Sequence, residues 1–330
     1  MTPKFWRVAA AVVASALLLT GCGTSEADDA GEGASRTFTD DRGEVEIPAD
    51  PQRVIATGYA VPVLIESGAP LVGISTWTRG EDFMSPEDLE VYQDTPKISG
   101  DAAAEMNYEE VAKANPDLII IGVPQPVLKD VDLDRLEDIA PVLTIGPSVP
   151  DAWRDFAEKQ ADAAGATEGF EETKSAYEDK AAELSEKYAD LLTDVKFGHV
   201  GAYGDVSAGT FQREFSGSWG TNIAEDIGVE YYGEVKEKMG GSGDVSEYPS
   251  IEELPQSLAE AEYITYTVQA DGTPAPEVQY VLDSDLWQTL PAFQDGNVIP
   301  LKYTEASTFK DAAKTLDAID EAFEPFLTQS

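Results

Sequence analysis

The chain has 330 residues, a length of about two domains, and with 42% hydrophobic and 9% aromatic residues it can build real cores. It carries 63 acidic residues against 22 basic ones, a formal net charge of −41 at pH 7. That balance, with no basic run beyond Arg7, excludes a phosphate-gripping surface for nucleic acid and fits solubility in an exposed compartment.

Lys4 and Arg7 precede an apolar, Ala-rich run from Val8 to Leu19, of signal-peptide length and too short to span a membrane. Leu19-Thr20-Gly21-Cys22 then resembles a bacterial lipobox, in which cleavage falls before a lipid-bearing cysteine. Cys22 is the only cysteine, so an internal disulfide or a cysteine metal cluster is excluded. Residues 1–21 are therefore expected to be a lipoprotein signal peptide. The exported chain would be anchored through acyl chains on Cys22 to the outer face of the cytoplasmic membrane, the periplasmic side where an outer membrane exists. Residues 22–35, with the small, acidic "TSEADDAGEGAS", read as a flexible tether.

Beyond it, short apolar runs alternate with helical patterns, the α/β signature. Strands are expected at Arg53–Thr57, Leu71–Ser75, Leu118–Gly122 and Val142–Ile145, then at Phe197–Ala202, Tyr263–Val268 and Asn297–Leu301. Asn107 and Glu110 have capping-box spacing ahead of Val111. Between the two groups of strands, Asp151 to Leu192 carries no strand signal. A helix from Trp153 to Ala164 leads into a long amphipathic one, with Tyr177, Ala181, Leu184, Tyr188 and Leu191 three and four residues apart. The layout is an α/β lobe at 36–150, a helical connector at 151–192, and an α/β lobe with a C-terminal helix at 193–330. The lobes echo each other: "IESGAPLVGIS" matches "AEDIGVEYY", and "NYEEVAKANPDLIII" matches "SIEELPQSLAEAEYITY".

After the lipobox, "RTFTDDRGEVEIPADPQRVIATG" (36–58), "NYEEVAKANPDLIIIG" (107–122), "GTNIAEDIG" (220–228) and "LWQTLPAFQDGNVIPL" (286–301) follow in order. Together they resemble the class III periplasmic binding proteins, substrate-binding lipoproteins of ABC importers for ferric siderophores, haem and cobalamin. Each motif is soft, and the ordered set covers about 36–327. The resemblance implies two Rossmann-like α/β lobes joined by a single long rigid helix, with a ligand cleft between them. It also implies ABC permease subunits with a cytoplasmic ATPase as partners, a monomeric binder, and no catalysis.

Strand C-terminal ends and the loops after them line clefts in open α/β sheets. That nominates Tyr59, Trp77, Arg79, Pro124 and Gln125 in the first lobe, and Tyr203, Arg213, Trp219, Tyr266 and Tyr303 in the second. Aromatics would bury the apolar parts of a ligand. Arg213 or Arg79 would donate forked hydrogen bonds to its oxygens. The plain alternatives are half-buried core aromatics and surface ion pairs, Arg79 with Glu81 or Asp82 and Arg213 with Glu214.

A trianionic ferric tris-catecholate calls for several basic groups, whereas a ferric tris-hydroxamate is neutral at the metal. One or two arginines among aromatic rings suit the hydroxamate, of ferrioxamine or ferrichrome type, and no cofactor is implied beyond this Fe(III) ligand. Haem or cobalamin is the alternative within the family. The only histidine, His199, lies mid-strand and reads as a satisfied core imidazole, which leaves a tyrosine as the other possible haem ligand. No direct metal site is expected. The resemblance further implies two permease-docking glutamates, and the matching positions are Glu109 and Glu252, with Glu110 and Glu253 as register alternatives. A first-turn glutamate favoured by the helix dipole is the plain reading of both. Outside the family, a ligand-sensing lipoprotein or an exported hydrolase remains, although no carboxylate pair or nucleophile triad stands out.

Overall fold

The structure, a computed structural model, describes residues 34–328. The expected signal peptide, the lipidation site Cys22 and most of the tether lie outside the described residues. The described part opens on an antiparallel hairpin, β1 (Ser35–Asp40) and β2 (Gly43–Pro48). Its turn is closed by the Asp40 carboxylate, which accepts from the backbone N–H of Arg42 and Gly43. No strand was expected there, and β1 begins within the stretch read as tether.

The first lobe is a five-stranded all-parallel sheet: β3 (Val54–Gly58), β4 (Leu71–Ser75), β5 (Lys97–Ser99), β6 (Leu118–Gly122) and β7 (Val142–Thr144), in the spatial order β5-β4-β3-β6-β7. The central runs "VIATG" and "LIIIG" are buried on both faces, as a parallel sheet covered by helices on both sides requires. The covering helices are α1 (Ala60–Glu66), α2 (Pro86–Asp94), α3 (Tyr108–Ala114) and α4 (Leu133–Glu137). Asn107 caps α3, its side chain accepting from the Glu110 N–H at 3.3 Å. The reciprocal half of the expected capping box is replaced by a Glu110–Lys113 pair at 2.6 Å.

The connector consists of α5 (Trp153–Ala163) and the 26-residue α6 (Thr167–Leu192). They are separated at Gly165, whose φ of +70° no L side chain takes easily. Tyr177, Ala181, Leu184, Tyr188 and Leu191 of α6 are buried, as their spacing predicts.

The second lobe contains β8 (Lys196–Gly201), β9 (Gln212–Glu214), β10 (Glu230–Tyr231), β11 (Ser246–Glu247), β12 (Tyr263–Val268) and β13 (Val298–Lys302), with α7 (Asn222–Glu225), α8 (Leu254–Ser257), α9 (Pro276–Leu282), α10 (Pro291–Gln294) and α11 (Phe309–Phe323). β8, β12 and β13 are parallel neighbours. On the other edge of β8, β10 pairs parallel and β9 antiparallel, followed by β11. The strands read from sequence are present, with bounds shifted by a residue at most. Short β5, β9, β10 and β11 were not expected: two or three residues carry no period to detect. The internal echo is structural as well. After both α1 and α7 a glycine of positive φ, Gly68 (+71°) or Gly228 (+103°), turns the chain into a parallel strand, β4 or β10.

More than α6 holds the lobes together. Phe309, at the start of α11, is ringed by Trp153 (4.8 Å between centroids), Tyr177 (5.4 Å) and Phe170 (5.5 Å). The Trp153 Nε1–H donates to Asn222 Oδ1 at 2.9 Å, and Arg154 pairs with Asp226, which also accepts from Tyr177. The N-terminal end of α11 reaches the first lobe. Thr308 donates to Glu66 at 2.8 Å, and Lys310 pairs with Asp88 of α2.

Glu66 and Asp311 sit together at this junction, near Asp88, Lys310 and Lys314. Burial drives both carboxyls upward, Asp311 to about 7. A carboxyl raised on folding binds an extra proton in the folded state. Its contribution to stability therefore falls as pH rises from about 4, the unfolded value, towards 7. Asp311→Asn should raise the melting temperature by about 2–4 °C more at pH 8 than at pH 5. Equal shifts in thermal unfolding at the two pH values would contradict the buried pair.

Candidate functional site: a cleft at two switch points

In the first lobe the strand order reverses between β3 and β6, and in the second between β8 and β12. Ligands of open α/β sheets bind outside the carboxyl ends of strands at such points. Tyr59 follows β3 directly, with its N–H donating to the Gly122 carbonyl at the end of β6 (2.8 Å). The backbones approach so closely that a Cβ on Gly58 would lie 2.6 Å from the Gly122 oxygen. Tyr203 follows β8 across the cleft.

Between the lobes lies a cavity of about 340 Å³ lined by Tyr59 and Arg79 from one side and by Tyr203, Gln212, Trp219, Ser242, Tyr248 and Glu305 from the other. Tyr59 and Trp219 lie parallel, 3° between planes and 5.9 Å between centroids, one from each lobe. The Arg79 guanidinium rests 4.1 Å from the Trp77 ring centroid and 4.5 Å from that of Tyr59. It makes no ion pair or hydrogen bond with the described residues, so its donors stay free. Trp77 itself is buried, its backbone N–H on Tyr92 Oη at 2.8 Å, and it serves as the platform beneath Arg79. Tyr203 is 53% exposed along its ring, but its hydroxyl turns inward and donates to Glu305 at 2.5 Å; desolvation of that hydroxyl and the Glu305 carboxylate raise its pKa.

Two further cavities share walls with this one, and a third meets the second of them at Pro124. A groove of about 260 Å³ shares Arg79 and Glu305 with it and continues past Phe83, Thr267 and Tyr303. A hollow of about 480 Å³ runs from Tyr59 and Trp77 to Pro124 and Asp130. Another of about 530 Å³ holds Gln125 and Pro124 against Met239 of the second lobe. The cleft thus brings together Tyr59, Trp77, Arg79, Tyr203, Trp219 and, at its margins, Gln125 and Tyr303.

Arg213 and Tyr266 are not among them. Arg213 is 1% exposed, although its sequence neighbours suggested a cleft residue. "QRE" is a strand, β9, and its two faces alternate. Gln212 and Glu214 point to the cleft side, while Arg213 points to the opposite layer. There its guanidinium donates to the carbonyls of His199 (3.4 Å), Tyr232 (3.0 Å) and Glu214, between the rings of Phe215 and Tyr232. Tyr266 likewise points to the outer layer, edge-on to Trp287 at 6.2 Å, and alternates with Thr265 and Thr267 on the other face. The expectations for these two residues are corrected by strand parity, which sequence spacing alone left open.

Residues missed in the sequence are Gln212, Ser242, Tyr248 and Glu305. Gln212 was detectable by alternation once β9 was recognised. The others come from loops whose place only the sheet settles.

Beneath the cleft floor lies a polar network that is buried except at Thr267, where it meets the groove. His199 meets Thr265 through Nδ1 (2.7 Å) and Thr267 through Nε2 (3.1 Å), with Glu214 at 3.2 Å from Nε2. Burial pulls His199 down to about 3 and pushes Glu214 up to about 7. The imidazole is therefore neutral and satisfied, the core role expected of it. Glu214 also accepts from Ser218 (2.9 Å) and from the Gly220 N–H (3.0 Å), and Gln212 links it to the cleft. A Cβ on Gly220 would stand 2.1 Å from both Glu214 and His199.

Residues 56–304 match the periplasmic binding protein family. The chain belongs to that family. It is 25% identical over 278 residues to the iron(3+)-hydroxamate-binding protein YxeB of Bacillus subtilis, covering 83% of this chain and 80% of that one. It is 25% identical over 308 residues to FhuD of the same organism, also an iron(3+)-hydroxamate-binding protein, covering 90% and 91%. The siderophore periplasmic binding protein from the fuscachelin gene cluster of Thermobifida fusca superposes with a TM-score of 0.66 at 29% identity, over 84% of this chain and 98% of that one. Periplasmic binding proteins are substrate-binding components of import systems and work outside the cytoplasmic membrane with permease and ATPase partners.

The interior role of Arg213 gives a stability test. Arg213→Leu leaves buried carbonyls without donors and should lower the unfolding free energy by about 1–3 kcal/mol. Gly220→Ala should cost about 1–3 kcal/mol through overpacking. Urea unfolding of both variants measures this, and an unchanged midpoint for Arg213→Leu would place its side chain at the surface instead.

Proposed function

We propose that this chain is the lipid-anchored, monomeric binding protein of an ABC importer, that it captures a ferric hydroxamate siderophore in the cleft between its lobes, and that it hands this ligand to a membrane permease. The observation that carries this reading is Arg79: a guanidinium stacked on Trp77 and Tyr59, with no anchoring ion pair, facing aromatic walls from the other lobe. Its fork suits the carbonyl and hydroxamate oxygens around a ferric ion, and the rings suit the spacer methylenes. The names of the two Bacillus subtilis relatives support the same ligand class. Tyr59, Trp77, Trp219, Tyr203, Gln125 and Tyr303 complete the proposed contact set. Export and the Cys22 anchor rest on the N-terminal sequence.

Glu109 and Glu252 are proposed as the permease-docking carboxylates. Both are exposed first-turn residues and neither has an ion-pair partner among the described residues. Their register alternatives are engaged: Glu110 with Lys113 at 2.6 Å and Glu253 with Lys236 at 3.6 Å. Free carboxylates on each lobe can set orientation through charge pairs with permease arginines.

Trp219 and Trp77 make tryptophan fluorescence the direct readout. Ferrioxamine and ferrichrome should quench the soluble form saturably, and Arg79→Ala should weaken that binding about 10- to 100-fold at unchanged melting temperature. Saturation by haem or a ferric catecholate alone would overturn the hydroxamate assignment. Glu109→Ala with Glu252→Ala should abolish transport in vesicles while ligand binding stays intact. Transport at the normal rate would remove the docking assignment.

A further inference from the structure

The ligand class proposed above leaves the charge of the ligand open, and the cleft constrains it. Across the central cavity, the groove beside Tyr303 and the hollow beside Pro124, Arg79 is the one side-chain cation among the described lining residues; the next, Lys159, lines only the outer cavity beside Gln125. Asp82, Asp101, Asp130 and Glu305 line the same space. Asp101 accepts from the Thr78 N–H (3.0 Å) and hydroxyl (2.8 Å) and, although burial works against it, is held below the usual carboxylate range by these bonds and by Arg79. Lys314 lies over the Tyr303 ring, donates to the Asp82 carbonyl and acts on the buried Asp311. Glu305 accepts a single neutral hydrogen bond, from Tyr203, and has no cationic partner among the described residues.

Glu305 also occupies a junction. It and Arg79 line both the central cavity and the adjoining groove of about 260 Å³, so an elongated ligand centred on Tyr59 and Trp219 can run its free end past Glu305. The groove walls there, Phe83 and Tyr303, stand edge to face at 5.5 Å and offer apolar surface to methylenes. A trianionic chelate would meet one cation and four carboxylates. A chelate neutral at iron avoids that repulsion but leaves Glu305 uncompensated.

We propose that Glu305 is a charge-selecting residue of this cleft: it favours a linear ferric tris-hydroxamate whose free end is a primary ammonium, seated on Glu305 with its methylene chain against Phe83 and Tyr303. This rests on the ferric hydroxamate reading and deepens it. The attraction works by complementarity, a ligand cation against a carboxylate that the protein leaves unpaired and partly shielded from solvent.

The test is a fluorescence titration of the soluble chain with three iron-loaded probes: ferrioxamine B, which ends in a primary amine; its N-acetylated form; and ferrichrome, which has no amine. Ferrioxamine B should bind about ten-fold more tightly than the acetylated form at low salt, with the gap narrowing as salt rises. Glu305→Gln, which keeps an acceptor for the Tyr203 hydroxyl, should bring the ratio close to one. Equal affinity of the two ferrioxamines for the unaltered chain overturns the assignment, as does a ratio that persists in Glu305→Gln. If all three ferric hydroxamates bind alike, the hydroxamate reading survives and the role of Glu305 falls. If none binds while a ferric catecholate does, both fall.

Discussion

Everything about the cleft depends on the packing around Phe309. This residue begins α11, the last helix, yet it sits among Trp153 of α5 and Phe170 and Tyr177 of α6, so three helices from both ends of the connector share one aromatic core. Edge-to-face packing of large buried rings is close to incompressible. The Trp153–Asn222 bond and the Arg154–Asp226 pair add contacts to the second lobe from the same spot. A connector welded in this way allows only small hinge movement, since displacing one lobe would open a cavity under Phe309. The two halves of the binding surface therefore meet at nearly the geometry they hold at rest.

On that frame, each lobe presents its switch point to the other. Tyr59 leaves β3 where the neighbouring backbone ends are pressed together at Gly58 and Gly122, and this close approach pins the ring that faces Trp219. In the second lobe the same office falls to Tyr203, whose backbone N–H is held by the Gln212 side chain at 2.9 Å. Gln212 in turn leans on Glu214, and so on the buried His199–threonine network. Cleft residues of both lobes thus rest on rigid second layers, one of backbone and one of side chains, which keeps the cost of ordering them on ligand capture small.

The acidity of the chain takes different forms by depth. Over the whole chain, carboxylates outnumber cations 63 to 22, and those at the surface repel one another. In the interior, burial holds Glu66, Asp311 and Glu214 in environments that favour the protonated form, and the Thr308 and Ser218 hydroxyls donate to Glu66 and Glu214. The two guanidiniums of greatest interest are treated oppositely. Arg213 gives its donors to backbone carbonyls and fastens β9 to the loop around Tyr232, whereas Arg79 gives only its flat face to Trp77 and Tyr59 and keeps its donors for the cleft.

The sequence by itself determined the class of the fold and most of its elements. Short apolar runs between turn signals, such as "LIIIG", match doubly covered parallel strands, and the three-and-four spacing from Tyr177 to Leu191 matches one long helix face. It also marked the loops after β3, β4 and β8 as carriers of aromatic and arginine side chains. Short strands escaped it, and with them the parity that decides which side of a strand a residue faces. A shift of one residue turns Gln212 into the cleft and Arg213 into the core, and the partner strand β8 sets that register. Tyr248 and Glu305 entered the site from distant loops for the same reason. Only the tertiary structure could decide which carboxylate would stand unpaired beside the cleft, because charge compensation depends on distances through space that spacing along the chain does not encode.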